Sequence, residues 1–352
     1  MLFFKKTLPP TEKLTMVESL STMLSSGIPI LEALESVKED STNPLAQKIV
    51  SSVIEDVTAG KNLTEALGQF EESFDKVFLS VLRSGEASGK LDQVLKELAQ
   101  NTRSEMELRD TVRSAMFYPS LVMGLLFVVL AIMLFFVLPR VAIVFNRMQM
   151  DLPLPTKILI SISLFIAKNT PLVAGSLAAI LILIIWLMSL KSTRKALLQI
   201  ALSSPVLGRI LKEIDLTKFS RTLSLLLNSG VPIISSFELA ADVVFQDKTK
   251  SDLLGIKNKI SSGKTLAEAF KSYPKTFPSL VARIISTGER SGTLDKNLLT
   301  LSEFYQNKVN NQVKNLSTLI EPILLIIIGV IVGGVIISII APIYQLIGQI
   351  SG

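Results

Sequence analysis

Gly85-Glu86-Ala87-Ser88-Gly89-Lys90-Leu91-Asp92 returns 203 residues later as Gly288-Glu289-Arg290-Ser291-Gly292-Thr293-Leu294-Asp295. Two further runs come back at the same offset. Ser26-Gly27-Ile28-Pro29-Ile30 is matched by Ser229-Gly230-Val231-Pro232-Ile233. Gly60-Lys61-Asn62-Leu63-Thr64-Glu65-Ala66 is matched by Gly263-Lys264-Thr265-Leu266-Ala267-Glu268-Ala269. The offset persists without a gap to Pro119/Pro322 and Pro139/Pro342, with 27 identities in the 124 pairs that start at residue 16. Chance at average composition gives about one match in sixteen. The chain is a duplication, and its fold is to be read twice.

The repeated runs read as helix punctuation. Leu20, Met23 and Leu24, like Leu223, Leu226 and Leu227, keep helical spacing. Gly27 and Gly230 follow them where a helix ends in the left-handed conformation, and Pro29 and Pro232 suit the first turn of the next helix. Gly60 and Gly263 end a second helix. Asn62 and Thr265 cap its successor, with Glu65 and Glu268 closing capping boxes. Gly85 and Gly288 are expected to end a further helix, ahead of the runs that begin near Leu91 and Leu294. Short helices joined by short turns make a compact all-α bundle, here present in two copies.

Between and after the bundles the chain is too apolar for water. Hydrophobic residues make up 49%, charged residues only 19%, and the mean hydropathy is +0.49. Pro119–Leu138 and Pro171–Leu190 are each 20 residues without a charge, and no charge follows Pro322. Twenty residues of helix span roughly 30 Å, the thickness of the hydrocarbon. Fourteen Leu, Ile, Val or Phe residues between Leu121 and Leu138 supply about −4 to −8 kcal/mol of insertion tendency. Ile158–Ala167 is apolar for only ten residues and reads as an interfacial helix, ahead of a fresh start at Thr170-Pro171.

The expected architecture is an all-α membrane protein with three transmembrane helices. A cytoplasmic bundle (1–114) leads into a span (115–138), an external loop with an interfacial helix (139–170) and a second span (171–190). The second bundle (191–318), a third span (319–343) and an external tail (344–352) follow. The unrepeated middle span returns the chain, so both bundles share a face. Arg103, Arg109, Arg113, Lys191, Arg194, Lys195, Arg209, Lys308 and Lys314 on that face outnumber Arg140, Arg147, Lys157 and Lys168 on the other, which places the N-terminus in the cytoplasm and the C-terminus outside.

The chain has no His and no Cys, which excludes thiol chemistry, Cys/His zinc sites and Ser-His-Asp catalysis. Ser261-Ser262-Gly263-Lys264-Thr265 lacks the glycine five positions earlier and the preceding strand of a phosphate-binding loop, so it reads as a helix cap. Glu86 with Asp92, and Glu289 with Asp295, are the candidates for a cation, weighed against helix capping. No catalytic or cofactor residue is expected. Gly329 and Gly333 form a GxxxG with Gly334 beside it, a spacing that lets helices approach in lipid, within the chain or between chains. Glu321 stands at the cytoplasmic edge of that span. Residues 1–113 carry 13 basic and 18 acidic residues, a net of −5, whereas residues 219–318 carry 13 and 8, a net of +5. Opposite signs on twin domains offer different faces to partners, or to each other.

These repeated runs, together with Ala115-Met116-Phe117-Tyr118-Pro119, Glu321-Pro322 and Leu152-Pro153-Leu154-Pro155-Thr156, resemble the type II secretion system F family, which includes the inner-membrane platform proteins of type IV pili. Asp75 departs from the family's preference for proline after Phe74, while Phe277-Pro278 keeps it. The family's N-terminal extension is expected to be short here. The resemblance implies a non-enzymatic inner-membrane platform without cofactors. It would couple a cytoplasmic hexameric assembly ATPase to extraction of pilin or pseudopilin subunits. Other inner-membrane assembly proteins and further copies of the chain would be partners, and no nucleic acid would be bound. The alternative is an oligomeric transporter or channel subunit, which would place ionisable groups at mid-membrane, where all three spans have none.

Overall fold

A computed structural model describes residues 7–147, 154–190, 193, 202 and 204–350. Leu152, Pro153, Lys191, Arg194 and Lys195, used in the readings above, lie outside the described residues. Regular structure among the described residues is helical throughout. The chain divides into two compact units, Met1–Thr111 with Gly208–Asn311 and Val112–Leu207 with Gln312–Gly352. Both bundles fall in the first unit.

The first bundle comprises α1 (Pro10–Ser25), α2 (Ile30–Asp40), α3 (Pro44–Thr58), α4 (Leu63–Gly68), α5 (Lys76–Ser88) and the start of α6 (Leu91–Ile132). A π-helical segment (Met133–Val137) and α7 (Leu138–Arg147) continue α6, and α8 (Leu154–Lys168) and α9 (Thr170–Ser189) follow. The second bundle comprises α10 (Leu207–Asn228), α11 (Ile233–Asp242), α12 (Asp247–Ser261), α13 (Leu266–Lys271), α14 (Ser279–Ser291) and the start of α15 (Leu294–Ile350).

From the end of α10 onward these boundaries reproduce those of the first bundle at an offset of 203, apart from α11, which ends one residue early. The six glycines with positive φ keep the same offset: Gly27 (85°), Gly60 (90°) and Gly89 (69°), then Gly230 (82°), Gly263 (87°) and Gly292 (68°). A left-handed residue reverses the chain after a helix, and glycine adopts it without a Cβ clash. Gly85 and Gly288, expected at helix ends, lie instead inside α5 and α14, which run three residues further. Pro29 and Pro232 stand at the N-cap, one residue ahead of the first turn.

The two cores are filled differently. Met16, Leu34 and Leu67 of the first are replaced at the equivalent positions by Phe219, Phe237 and Phe270. With Phe277, the counterpart of Phe74, these rings pack at centroid distances of 5.0 to 6.3 Å in tilted and edge-on pairs.

In the second unit, α8 packs against α7 through Ile160 and Ala142. The buried Ser163 of α8 donates to the Leu134 carbonyl in the π segment at 2.8 Å, and buried Thr156 donates to the Ser338 carbonyl of α15 at 2.8 Å. Ile160 and the two hydroxyls thus face other helices, while Ile158, Ile162 and Phe165 of the same helix are exposed. Helix α15 runs through Pro342 to Ile350, so residues 344–350 of the stretch read as an external tail are helical, and its last two residues lie outside the described ones. Two helical stretches, Leu91–Ile143 and Leu294–Ile340, are long and apolar enough to cross a membrane. They point large apolar side chains outward: Leu125 is 62% exposed, Ile326 66% and Val330 70%. Surfaces of this kind suit lipid rather than water.

Candidate functional site

The repeated Gly-Glu-x-Ser-Gly run resolves into separate physical tasks. Gly85 lies where α5 meets α6. A Cβ there would stand 2.7 Å from both Cβ and Cγ2 of Val94, and one on Gly288 would stand 2.9 Å from Cα of Leu294. Glycine at these positions is a close-packing residue, which is why the helix passes through it. Glu86 reaches back 23 residues in sequence to the start of α4. Its carboxylate accepts from Leu63 N at 2.6 Å, Thr64 N at 3.2 Å and Thr64 Oγ1 at 2.7 Å. Glu289 does the same for α13, accepting from Leu266 N at 2.8 Å and Ala267 N at 3.2 Å. The first amides of a helix lack internal partners and carry partial positive charge, so an anion there is favoured.

The task given to Asn62 and Thr265 in the sequence is therefore largely performed from a distance. Asn62 makes no side-chain cap bond, while Thr265 accepts from Glu268 N at 3.3 Å. The carboxylates of Glu86 and Glu289 are committed to helix starts, and no group of three acidic side chains that could hold a metal occurs among the described residues. Ser88 and Ser291 bond back to carbonyls one turn earlier. The backbone carbonyls of Asp92 and Asp295 accept from Ser21 and Ser224, which ties the first helix of each bundle to the last. A fully buried carboxylate, Asp215, holds the turn that leads into α12, accepting from Phe245 N at 2.7 Å and Gln246 N at 3.1 Å. Burial pushes its pKa above the ordinary aspartate range, against the pull of those two amides.

Only one of the two Ser-Gly-x-Pro turns is covered. Leu225, Leu226 and Val231 of the second bundle are buried in the apolar core of the first. Ser84 of α5 donates to the Ser229 carbonyl, and Glu97 of α6 accepts from Asn228 Nδ2 at 2.7 Å and Ser229 Oγ at 3.2 Å. The first bundle's own turn is open: Thr22 and Ser26 are exposed where Leu225 is buried and Ser229 partly buried, while Ser25 and Gly27 are exposed as Asn228 and Gly230 are. Sequence reasoning missed Ser84, Glu97 and Leu225. The available signal was the pairing of Thr22 with Leu225, between positions that keep their residue as Leu20/Leu223, Ser21/Ser224 and Leu24/Leu227.

Where α6 and α15 enter their apolar stretches, each has a proline with no N–H for the carbonyl one turn back. For Pro119 that carbonyl belongs to Ala115, and Ser317 Oγ donates to it at 3.1 Å. Pro119 is buried whereas Pro322 is exposed, as is Glu321 beside it. Around Gly329, Gly333 and Gly334 nothing lies within 4 Å of a would-be Cβ, so no helix of this chain packs on them among the described residues.

The comparisons agree with this duplicated arrangement. The profile of type II secretion system protein F matches twice, over residues 16–139 and 219–342, the same 203-residue spacing. The chain is 32% identical to the type IV pilus assembly protein PilC of Thermus thermophilus, over 94% of this chain and 82% of the relative. It is 29% identical to the PilC of Myxococcus xanthus, over 96% and 81%. It is 27% identical to the type II secretion system protein F of Vibrio cholerae, over 97% and 84%. Two profile matches that cover most of the chain, on two bundles with the same capping and the same left-handed glycines, place this protein in the type II secretion system protein F family.

Proposed function

We propose that this protein is a non-enzymatic inner-membrane platform of a type IV pilus or type II secretion machine, which couples a cytoplasmic assembly ATPase to extraction of pilin-like subunits. The observation that carries the reading is the pair of unbroken helical connections. Helix α6 leaves the first bundle and enters its apolar stretch without interruption, and α15 does the same for the second. A helix transmits displacement along its axis because its turns brace one another, here with one backbone bond missing at Pro119 and at Pro322, so movement of a bundle is passed into its span. The repeated Gly-Glu motif serves this by fixing α5 against the root of α6 and α14 against the root of α15, and by holding the short α4 and α13 onto α5 and α14. In this reading the acidic motif residues are braces, and the chain performs no chemistry.

The topology that goes with it has three crossings. Helix α9, 20 residues without a charge, would be the return span. Both bundles would then lie in the cytoplasm and the C-terminus outside. The ATPase, pilin or pseudopilin subunits, other inner-membrane assembly proteins and further copies of the chain are the expected partners. Deletion in the host tests the reading: loss of surface fibres or of secretion, with the ATPase copurifying with the intact protein, is the expected result. Fibres and secretion retained in a clean deletion would overturn it. Reporter fusions near residues 60 and 263 test the topology, and opposite compartments would sink it.

A further inference from the structure

We propose that the root of α15 is one half of a head-to-tail contact with a second copy of this chain, in which Ser114 of that copy donates to the Thr318 carbonyl of this one. The basis is the contact that the chain already makes with itself. Pro119 frees the Ala115 carbonyl, and Ser317 of α15 fills that vacancy. The duplication carries the same two parts in reverse. Ser114 is the counterpart of Ser317, one of the 27 identities between the copies, and Pro322 is the counterpart of Pro119. Pro322 has no N–H for the Thr318 carbonyl, and among the described residues no side chain donates to it. Ser114, Thr318 and Pro322 are all exposed.

A two-fold contact between α6 and α15 would have used both serines at once. The chain uses one and leaves both complementary parts of the other on its surface, the mark of a heterologous contact, which propagates to the next copy or closes a ring. Apolar surface alone would not choose this partner, because lipid covers Leu121, Leu125, Ile323 and Ile326 as well as another helix does. The unfilled carbonyl and its matching hydroxyl make the choice, since at a membrane boundary a hydroxyl donor to a proline-freed carbonyl joins helices that apolar burial does not. The proposal deepens the expectation of self-association and is independent of ATPase coupling.

The absence of cysteine in the chain allows a clean test in native membranes. Two differently tagged full-length chains are coexpressed, one carrying Ser114→Cys and the other Thr318→Cys, and oxidised. A chain with both Ala115→Cys and Ser317→Cys serves as control, since its internal disulfide reports that the roots of α6 and α15 are folded. A disulfide between the two tagged chains is expected at several times the level seen when either variant is expressed alone, with Pro322→Ala, which restores the missing N–H, reducing it several-fold. A closed control with no mixed product would overturn the proposal, as would Ser114→Cys chains pairing only with one another. Normal crosslinking in cells whose ATPase fails to copurify would count against the coupling reading and leave this contact standing.

Discussion

The first and second bundles share one helical plan and differ in what they present. Their helix boundaries, left-handed glycines and long-range glutamate caps coincide at an offset of 203 residues. Their surfaces do not, with a net of −5 over residues 1–113 and +5 over residues 219–318. The first bundle receives a neighbour on α5 and α6, whereas the second inserts Leu225, Leu226 and Val231 into that neighbour. After duplication the constraints of the fold held capping and close packing fixed, while positions free of those tasks diverged into a donor and an acceptor of the contact. The same division appears at the roots of α6 and α15, where Pro119 is covered and Pro322 is not.

The largest effect expected from breaking this asymmetry is at Leu225. Leu225→Thr gives the second bundle what the first has at Thr22, and removal of a buried leucine side chain costs about 2–4 kcal/mol. The converse change, Thr22→Leu, adds apolar surface without a partner and is expected to leave the thermal midpoint within experimental error. Thermal unfolding of the two variants in detergent checks both, and equal losses would mean that the turns are equivalent after all.

Next come the close-packed glycines. Gly85→Ala and Gly288→Ala are each expected to destabilise by about 1–3 kcal/mol through overpacking. The two differ in remedy. Gly85 faces the Val94 side chain, so Val94→Gly should show a favourable coupling with Gly85→Ala in a double-mutant cycle. Gly288 faces the Leu294 backbone as well as Asn297, so Asn297→Ala should recover much less. Equal rescue in both bundles would contradict the geometry.

A smaller difference separates the caps. Glu86 accepts three hydrogen bonds and Glu289 two, because Thr64 is replaced by Ala267. Glu86→Ala should therefore cost more than Glu289→Ala, by about 1 kcal/mol, the net worth of one added hydrogen bond. Amide exchange at residues 63–64 and 266–267 reads each cap directly, and Thr64→Ala should equalise them. Faster exchange at only one of the two sites after removal of its own glutamate, in both proteins, is the pattern to look for.

The smallest effect is titration of Asp215. Its folded pKa is raised by burial, so the folded protein binds the proton more readily than the unfolded chain. Stability is then expected to decline as pH rises from the ordinary aspartate range through the raised folded value, and to level off above it. Asp215→Asn should flatten this slope. A slope of the opposite sign that vanishes in the variant would show that the Phe245 and Gln246 amides outweigh burial.

Much of the fold was legible because its signals are local. Gly27, Gly60, Gly230 and Gly263 were read as helix ends from their neighbours, and their φ values of 82° to 90° agree. The apolar stretches of α6 and α15 follow from composition, since lipid is satisfied by length and the lack of charge. Gly85 was misread because a glycine in a helix signals an end or a close approach with the same letter, and only Val94 distinguishes them. Asn62 was credited with a cap because the capping-box pattern is local, whereas the residue that caps α4, Glu86, arrives from 23 positions away.

The amino-acid order by itself determined the duplication, the helix inventory, the places where the chain reverses and the stretches suited to lipid. These depend on backbone conformation and solvation within a turn or two. Tertiary structure alone decided which Ser-Gly-x-Pro turn is docked, which glutamate caps which helix and which proline-freed carbonyl is filled. Those choices are made between residues 23, 145 and 202 positions apart, where contact depends on how whole helices pack and no spacing rule along the chain applies.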